Sequence, residues 1–164
     1  MTPRRRWAVA AAVAIAAAGT VPMLTDAGPL GTARGALVEW TASVAARVLP
    51  AVGVPVRRDG PALVSPDGRR ARVVRDCDAL APLALLLAGL VVAPGGRARR
   101  VVVAVGGGLA VLALNQVRIA HLVTLVGRDP RGFQRAHEFI WPAVLCGTVL
   151  GAIAFASTPR RCRR

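Results

Sequence analysis

Long apolar runs bounded by arginine clusters are the feature that most limits what this chain can fold into. An apolar helix of about 20 residues crosses the roughly 30 Å hydrocarbon core of a bilayer. The runs therefore predict an all-α integral membrane protein with about four transmembrane helices and a small extracytoplasmic helix/β-hairpin insertion. The predicted spans are residues 7–24, 79–93, 101–126 and 139–157, of which the second is short.

The charge of the chain agrees with a membrane protein better than with a nucleic-acid-binding protein. A formal net charge of +14 coexists with 54% hydrophobic residues, which requires basic and apolar segments to be segregated. The arginines lie at the ends of apolar runs and not along one face. With three Trp, three Phe and no Tyr, few aromatic side chains could stack on bases. We therefore expect a lipid bilayer and no nucleic acid as partner.

The positions of the basic clusters predict the orientation in the cytoplasmic membrane. Clusters at 4–6, 97–100 and 160–164 place both termini on the cytoplasmic side, because short basic segments stay inside. The extracytoplasmic segment 25–78 carries basic residues, which is contrary to this rule. The exception is tolerable because a long or folded segment can be translocated despite its charge. The run 7–24 also fits a cleavable signal peptide, and this alternative stays open.

The extracytoplasmic segment contains two further patterns. Leu37, Trp40, Val44 and Val48 have helical spacing within 30–56, which fits either a helix lying on the membrane surface or one packed on the bundle. Downstream, two short strand-like runs flank the turn sequence SPDG and predict a β-hairpin.

Chemically capable residues from separate segments are predicted to lie at one leaflet. Cys77 immediately precedes the second span, and His137 immediately precedes the fourth. Asn115 and Arg118 share one face of the third span, and the rise from Val101 to Arg118 is about 26 Å. All four residues are therefore expected close to the outer boundary of the membrane, where ionisable groups suggest function.

These residue types suit acyl transfer. A cysteine at a helix N-terminus beside Arg75 gains thiolate character, which its two flanking aspartates oppose. A histidine can serve as general base and then as general acid. A buried arginine can stabilise a tetrahedral oxyanion. Separately, each residue also has an ordinary structural interpretation, and only their convergence favours catalysis.

Other candidate groups are weaker. The three cysteines predict neither a disulfide framework nor a zinc site, and no metal or cofactor motif occurs. Cys146 lies within the fourth span and Cys162 in the cytoplasmic tail, so neither is expected at the outer site. His121 is a reserve candidate for the histidine role. The glycines at 106–108 are expected to allow tight helix packing.

The segments RDCDAL, NQVRIAHLVTL and FQRAHEFIWPAVL, in this order after the predicted hairpin, resemble the exosortase/archaeosortase family over roughly residues 57–156. The resemblance implies a membrane-embedded cysteine protease/transpeptidase that cleaves C-terminal sorting signals of exported proteins through a thioester. It implies Cys77 as nucleophile, Arg118 as oxyanion stabiliser, His137 as proton carrier and Asn115 as a positioning residue. The substrates would be precursors with a C-terminal motif, a transmembrane helix and a basic tail.

The chain departs from the family pattern after the cysteine. The family commonly has a small residue and glycine there, whereas this chain has Asp78 and Ala79. It also has fewer predicted spans than many members. The alternative is a non-catalytic small membrane protein, an assembly partner or a degenerate homologue, in which Asn115 and Arg118 hold helices together.

Overall fold

A computed structural model describes residues 28–74, 77–94 and 96–158, most of which are helical. The predicted span 7–24 and Cys162 lie outside these residues. The elements in chain order are α1 (Gly28–Ala51), β1 (Arg57–Asp59), β2 (Ala62–Val64), β3 (Arg70–Arg72), α2 (Leu80–Val92), α3 (Arg97–Leu125), α4 (Pro130–Arg135), a π-helical turn (Ala136–Ile140) and α5 (Trp141–Ser157).

Helices α2, α3 and α5 pack together around one apolar core. Its largest fully buried side chains include Leu86, Val111 and Val149. A Cβ on Gly89 would overlap the side chain of Ile153, so α2 and α5 approach closely at this glycine. Glycine at such a position lets the two backbones gain van der Waals contact that lipid does not supply.

Two of the helical segments are long and apolar enough to cross a membrane, Arg97–Leu125 and Pro130–Ser157. Helix α2 is apolar but has only 13 residues, which corresponds to about 20 Å. The glycines at 106–108 only partly follow the packing prediction. A Cβ on Gly107 would lie 3.2 Å from Leu86, whereas one on Gly106 would meet no atom within 4 Å.

The basic end of α3 is tied to the end of α5. Arg99 donates hydrogen bonds to the carbonyl and hydroxyl oxygens of Thr158. Its guanidinium carbon also lies 4.6 Å from the centre of the Phe155 ring. An arginine here satisfies carbonyl groups that the helix end leaves free and complements the negative end of the α5 dipole.

Helix α1 and the β-strands form a second layer, the outer layer, against the last turns of α3. The buried face of α1 consists of Val38, Ala42, Ala45 and Leu49, which share a core with Ile119 and other residues. Of the predicted stripe, Trp40 is 51% and Val48 43% exposed, whereas small alanines let α1 pack closely on its other side. An exposed apolar stripe fits a helix lying on the membrane surface better than a stripe packed on the bundle.

The predicted hairpin is part of a three-stranded antiparallel sheet in the order β1-β2-β3. β2 and β3 flank the SPDG turn, and Leu63 pairs with Ala71. The additional strand β1 pairs with β2 through the two-residue turn Gly60-Pro61, where Gly60 has φ +58°. Glycine at the first position of such a turn is favoured, and the three-residue strands around it were too short to show a periodicity.

The β2–β3 turn is fastened to the C-terminal end of α3. Arg69 donates a hydrogen bond of 3.0 Å to the carbonyl of Val126, beside Gly127, whose φ is +70°. Arg69 also forms an ion pair with Asp67. The hydrogen bond from Arg69 lowers the pKa of the Asp67 carboxyl below its usual value. These contacts hold the sheet over the end of α3.

Candidate active site

Cys77 lies where the outer layer meets the helix bundle, three residues before α2 begins. The residue is only 6% exposed and belongs to the apolar core shared by α1, the sheet and α3. The Cys77 amide donates to the carbonyl of Val74 at 2.8 Å. The Asn115 side-chain amide donates to the carbonyl of Cys77 at 2.7 Å. The backbone of the cysteine is therefore held from both sides.

A cavity of about 290 Å³ opens beside Cys77. It is lined by residues of α3, of the sheet and the segment after β3, of α4 and of the π-helical turn. The lining residues are Leu63, Arg70, Ala71, Arg72, Val73, Val74, Cys77, Ile119, Leu122, Val123, Val126, Phe133 and His137. Cys77 and His137, 60 positions apart in sequence, thus face the same space.

His137 owes its position to the π-helical turn. The amide of Trp141 donates to the carbonyl of Ala136, five residues back, so the helix contains one extra residue at this point. The imidazole stacks on Phe133 with ring centres 5.8 Å apart and an interplanar angle of 8°. Single π-helical turns within α-helices are rare and are frequent at functional sites.

The reserve candidate His121 lies outside the cavity. It is exposed, and its Nδ1 accepts a hydrogen bond of 3.1 Å from the Trp141 indole. The face of α3 that lines the cavity is instead formed by Ile119, Leu122, Val123 and Val126. Residues on one face of an α-helix are three to four positions apart. His121 does not have this spacing from any of these four residues, so it lies on another face of α3.

Arg118 is buried behind the cavity and does not line it. It is 5% exposed and lies on the same face of α3 as Asn115, which is 1% exposed. Asn115 itself contacts the backbone of Cys77 and is likewise absent from the cavity wall. The structure thus brings Cys77 and His137 together at the cavity, and buries Asn115 against the cysteine backbone and Arg118 on the same face of α3 as Asn115.

Sequence reasoning missed Arg34 as the partner of Asp78. The Arg34 Nε donates to Asp78 Oδ2 at 2.7 Å, and the two side chains are 6% and 3% exposed. The other carboxylate oxygen accepts from the Leu80 amide at 2.9 Å and so satisfies one free donor of α2. The charge next to the cysteine is therefore compensated locally. The one signal in the sequence was that Arg34 precedes Val38 by one helical turn, on the buried face of α1.

Ala79 occupies the position at which the pattern that this chain resembles commonly has glycine, and its backbone conformation gives a reason for that preference. Its φ of 60° makes it the only non-glycine residue with positive φ among the described residues. Left-handed backbone is strained for residues with a Cβ and unstrained for glycine. Alanine, the smallest alternative, occupies the same turn here. Such strain is concentrated at functional sites, and here it lies two residues after the candidate nucleophile Cys77.

Comparison with known proteins gave one match. The family model for transmembrane exosortases matches residues 2–158. Neither the comparison with curated proteins nor the comparison with solved structures produced a match.

The chemistry of the site does not include a cluster of metal ligands. In residues 28–74, 77–94 and 96–158, no three His, Cys, Asp or Glu side chains lie close enough together to hold a metal ion. The groups that the cavity offers to a substrate are therefore the thiol of Cys77, the imidazole of His137 and the side chains and backbone of the sheet edge.

Proposed function

Because this chain belongs to the transmembrane exosortase family, we propose that it is a membrane-embedded cysteine protease/transpeptidase acting through a thioester. The observation that carries the proposal is the single cavity lined by both Cys77 and His137. A thiol and an imidazole that share a partly enclosed space are the groups that covalent acyl transfer requires.

In the first half of the reaction, His137 takes the Cys77 proton and the thiolate attacks the carbonyl carbon of the scissile amide. The carbonyl π electrons move onto oxygen and give a tetrahedral oxyanion. When this intermediate collapses, the carbon–nitrogen bond breaks and His137 returns the proton to the leaving amine. The acyl part of the substrate remains attached to Cys77 as a thioester.

In the second half, water or an amine attacks the thioester carbon. His137 accepts a proton from this nucleophile and delivers it to the departing Cys77 sulfur, which regenerates the enzyme. Water gives hydrolysis and an amine gives transpeptidation. The reaction needs no cofactor, since every proton and electron pair passes between the substrate and these two side chains.

Arg118 and Asn115 support this chemistry from the interior. Asn115 fixes the Cys77 carbonyl and thereby the direction of the sulfur. Arg118 does not line the cavity, so its buried and permanent positive charge acts on the developing oxyanion at a distance, an effect that the low dielectric around it increases. Asn115 therefore positions the substrate indirectly, through the backbone of Cys77.

The proposed substrates are exported precursors with a C-terminal motif, a transmembrane helix and a basic tail. The active site faces the extracytoplasmic side of the cytoplasmic membrane, with both termini in the cytoplasm. The basic Arg97–Arg100 segment supports this orientation, because it lies at the opposite end of α3 from the cavity.

The test is processing of a co-expressed precursor by single variants. Cys77→Ala, Cys77→Ser and His137→Ala are expected to abolish release of the C-terminal fragment, and Cys77→Ser to prevent capture of the thioester by hydroxylamine. Arg118→Lys, which keeps the positive charge, is expected to retain more activity than Arg118→Met, which removes it. His121→Ala and Cys146→Ala serve as controls and are expected to process normally.

Unchanged processing by both Cys77 variants would overturn the proposal. That outcome would favour a non-catalytic membrane protein in which Asn115 and Arg118 only hold the helices and the Cys77 turn together.

A further inference from the structure

Among the residues that the structure describes, β3 is an edge strand, and the backbone groups on its outer side can be assigned from the hydrogen bonds beside it. The Ser65 amide donates to the Arg69 carbonyl and the Val73 amide to the Pro61 carbonyl. In an antiparallel ladder such hydrogen-bonded pairs recur at every second residue. Ala71 therefore points its N–H and C=O toward β2, and Arg70 and Arg72 point theirs toward the free edge.

The free edge of β3 borders the cavity. A strand that met a cavity with one face would contribute alternate residues, since side chains alternate. Here the uninterrupted stretch 70–74 lines the cavity together with Cys77. Arg70 and Arg72 are exposed and lie on the opposite face of β3 from the inward-facing Ala71. Because residues of both faces line the cavity, the cavity runs along the edge of the strand.

The same edge leads directly to the nucleophile. The Val74 carbonyl, two residues after β3, accepts from the Cys77 amide and so ties the thiol-bearing residue to the end of this strand. Phe133 and His137 line the same cavity. A peptide lying along β3 would therefore lie within the space that contains both the histidine and the sulfur.

We propose that an extended segment of the precursor binds as a fourth strand on the free edge of β3, which aligns its scissile carbonyl with Cys77. This inference rests on the proposed function and adds the mode of substrate binding. Strand addition supplies main-chain hydrogen bonds for affinity, while pockets select alternate side chains. Arginines are often used to protect exposed edges, but protection alone does not explain a cavity along this edge.

The cavity also defines the side chain that accompanies the strand. Between Cys77 and the end of α3 its lining is aliphatic, from Leu63, Ile119, Leu122 and Val123. A charged group would lose its hydration there without gaining a partner among these four residues. One side chain of the bound segment, on the inward face of the added strand, is therefore apolar.

The experiment compares proline with alanine on the two edges of the sheet, using precursor cleavage in proteoliposomes. Arg72→Ala removes only the side chain, whereas Arg72→Pro also removes the outward N–H. Proline is tolerated at an edge position that donates no ladder hydrogen bond. Arg72→Pro is expected to lower kcat/KM about fivefold to tenfold relative to Arg72→Ala, the effect of losing one hydrogen bond.

The opposite edge provides the matched control. The same alternation makes Arg58 the outward residue of β1, away from the cavity. The Arg58→Pro and Arg58→Ala enzymes are expected to have kcat/KM values within about twofold of each other. The N–H that proline removes on this edge is not expected to bind the substrate, so its loss should not weaken binding. Equal kcat/KM for Arg72→Pro and Arg72→Ala would argue against strand addition.

A second measurement uses the wild-type enzyme and does not depend on the variants folding. Synthetic substrates carry single amide-to-ester replacements at successive residues before the cleavage site. Loss of cleavage at every second position is expected, and a flat profile would overturn the proposal. If Cys77→Ala still cleaves, the proposed function fails. If Cys77→Ala is inactive and the ester profile is flat, only strand addition fails.

Discussion

At the scale of single residues, Asp78 is next to the candidate nucleophile but is engaged elsewhere. One of its oxygens accepts from Arg34 and the other caps α2 through the Leu80 amide. An uncompensated carboxylate beside a thiol disfavours the thiolate. With Arg34 in place, the acidic residue positions the start of α2 at a reduced electrostatic cost to Cys77.

Breaking this buried pair is expected to destabilise the protein strongly. Arg34→Met leaves the Asp78 charge buried and is expected to cost about 3–5 kcal/mol of unfolding free energy. It is also expected to slow alkylation of Cys77 at neutral pH, since the unpaired carboxylate disfavours the thiolate. Adding Asp78→Asn, which keeps a capping oxygen, should recover part of both losses.

The control is the exposed pair between Arg58 and Glu39, whose side chains are 38% and 62% exposed. Glu39→Gln is expected to change stability by at most about 0.5 kcal/mol. Denaturant unfolding in detergent measures all variants. Strictly additive losses for Arg34→Met and Asp78→Asn would show that the two side chains are not coupled.

The strained backbone of Ala79 predicts an unusual response to glycine. Ala79→Gly loses a buried methyl group, about 0.8 kcal/mol, and backbone entropy, but it relieves about 1–2 kcal/mol of left-handed strain. Its stability is therefore expected to stay within about 1 kcal/mol of wild type. Ala93 is equally buried in the same core and has φ −62°, so Ala93→Gly gains no relief and should cost about 1–2 kcal/mol. Denaturant unfolding compares the two variants, and equal losses at the two positions would contradict the strain.

At the scale of elements, the π-helical turn decides which side chain of the last helix faces the cysteine. The extra residue shifts α4 and His137 by about 100° relative to α5, since each residue of an α-helix turns by that angle. α5 can then keep its apolar face on α2 and α3 while Phe133 and His137 face the cavity. One irregular turn therefore allows both the packing of α5 on its neighbours and the orientation of His137 toward the cavity.

The contact between α2 and α5 predicts a size limit at Gly89. A methyl group there overlaps the Ile153 side chain, so Gly89→Ala is expected to cost about 1–3 kcal/mol of stability. Ile153→Val in the same protein should restore part of the loss because it removes the overlapping Cδ1. Gly106→Ala, where a Cβ meets no atom within 4 Å, is expected to be neutral or stabilising by up to about 1 kcal/mol. Thermal unfolding in detergent tests this, and an equal loss for Gly106→Ala would argue against a specific contact at Gly89.

At the scale of the whole molecule, α3 connects two cores. Its first turns pack on α2 and α5, and its last turns pack on α1 and the sheet. Asn115, which contacts Cys77, lies about 27 Å along α3 from Arg97. This distance is close to the thickness of the hydrocarbon core, which supports the proposal that the cysteine and the basic segment lie at opposite membrane boundaries.

This arrangement predicts the accessibility of the cysteines. In a Cys146→Ala background, a small membrane-impermeant thiol reagent added outside the cell is expected to modify Cys77 through the cavity and to spare Cys162. Mass spectrometry of the labelled protein identifies the modified residue, and Cys77→Ala gives the background. Labelling of Cys162 with protection of Cys77 would reverse the proposed topology.

The sequence by itself determined the class of protein and the chemical identity of the candidate site. Apolar runs between arginine clusters predicted membrane helices, and residue type together with position along those runs identified Cys77, Asn115, Arg118 and His137. These signals are local, because hydropathy and residue type can be read along the chain. The buried face of α1 was not recognised for the complementary reason: alanines bury a helix face only when a partner surface is present.

Only the tertiary structure decided which of these residues share a space. It joined Cys77 to His137 through a π-helical turn, left His121 outside, and set Arg118 behind the cavity wall. It also paired Arg34 with Asp78 across 44 positions and exposed the β3 edge beside the nucleophile. Contacts between distant segments depend on how helices rotate and approach, and a pattern read along one segment contains no information about that rotation.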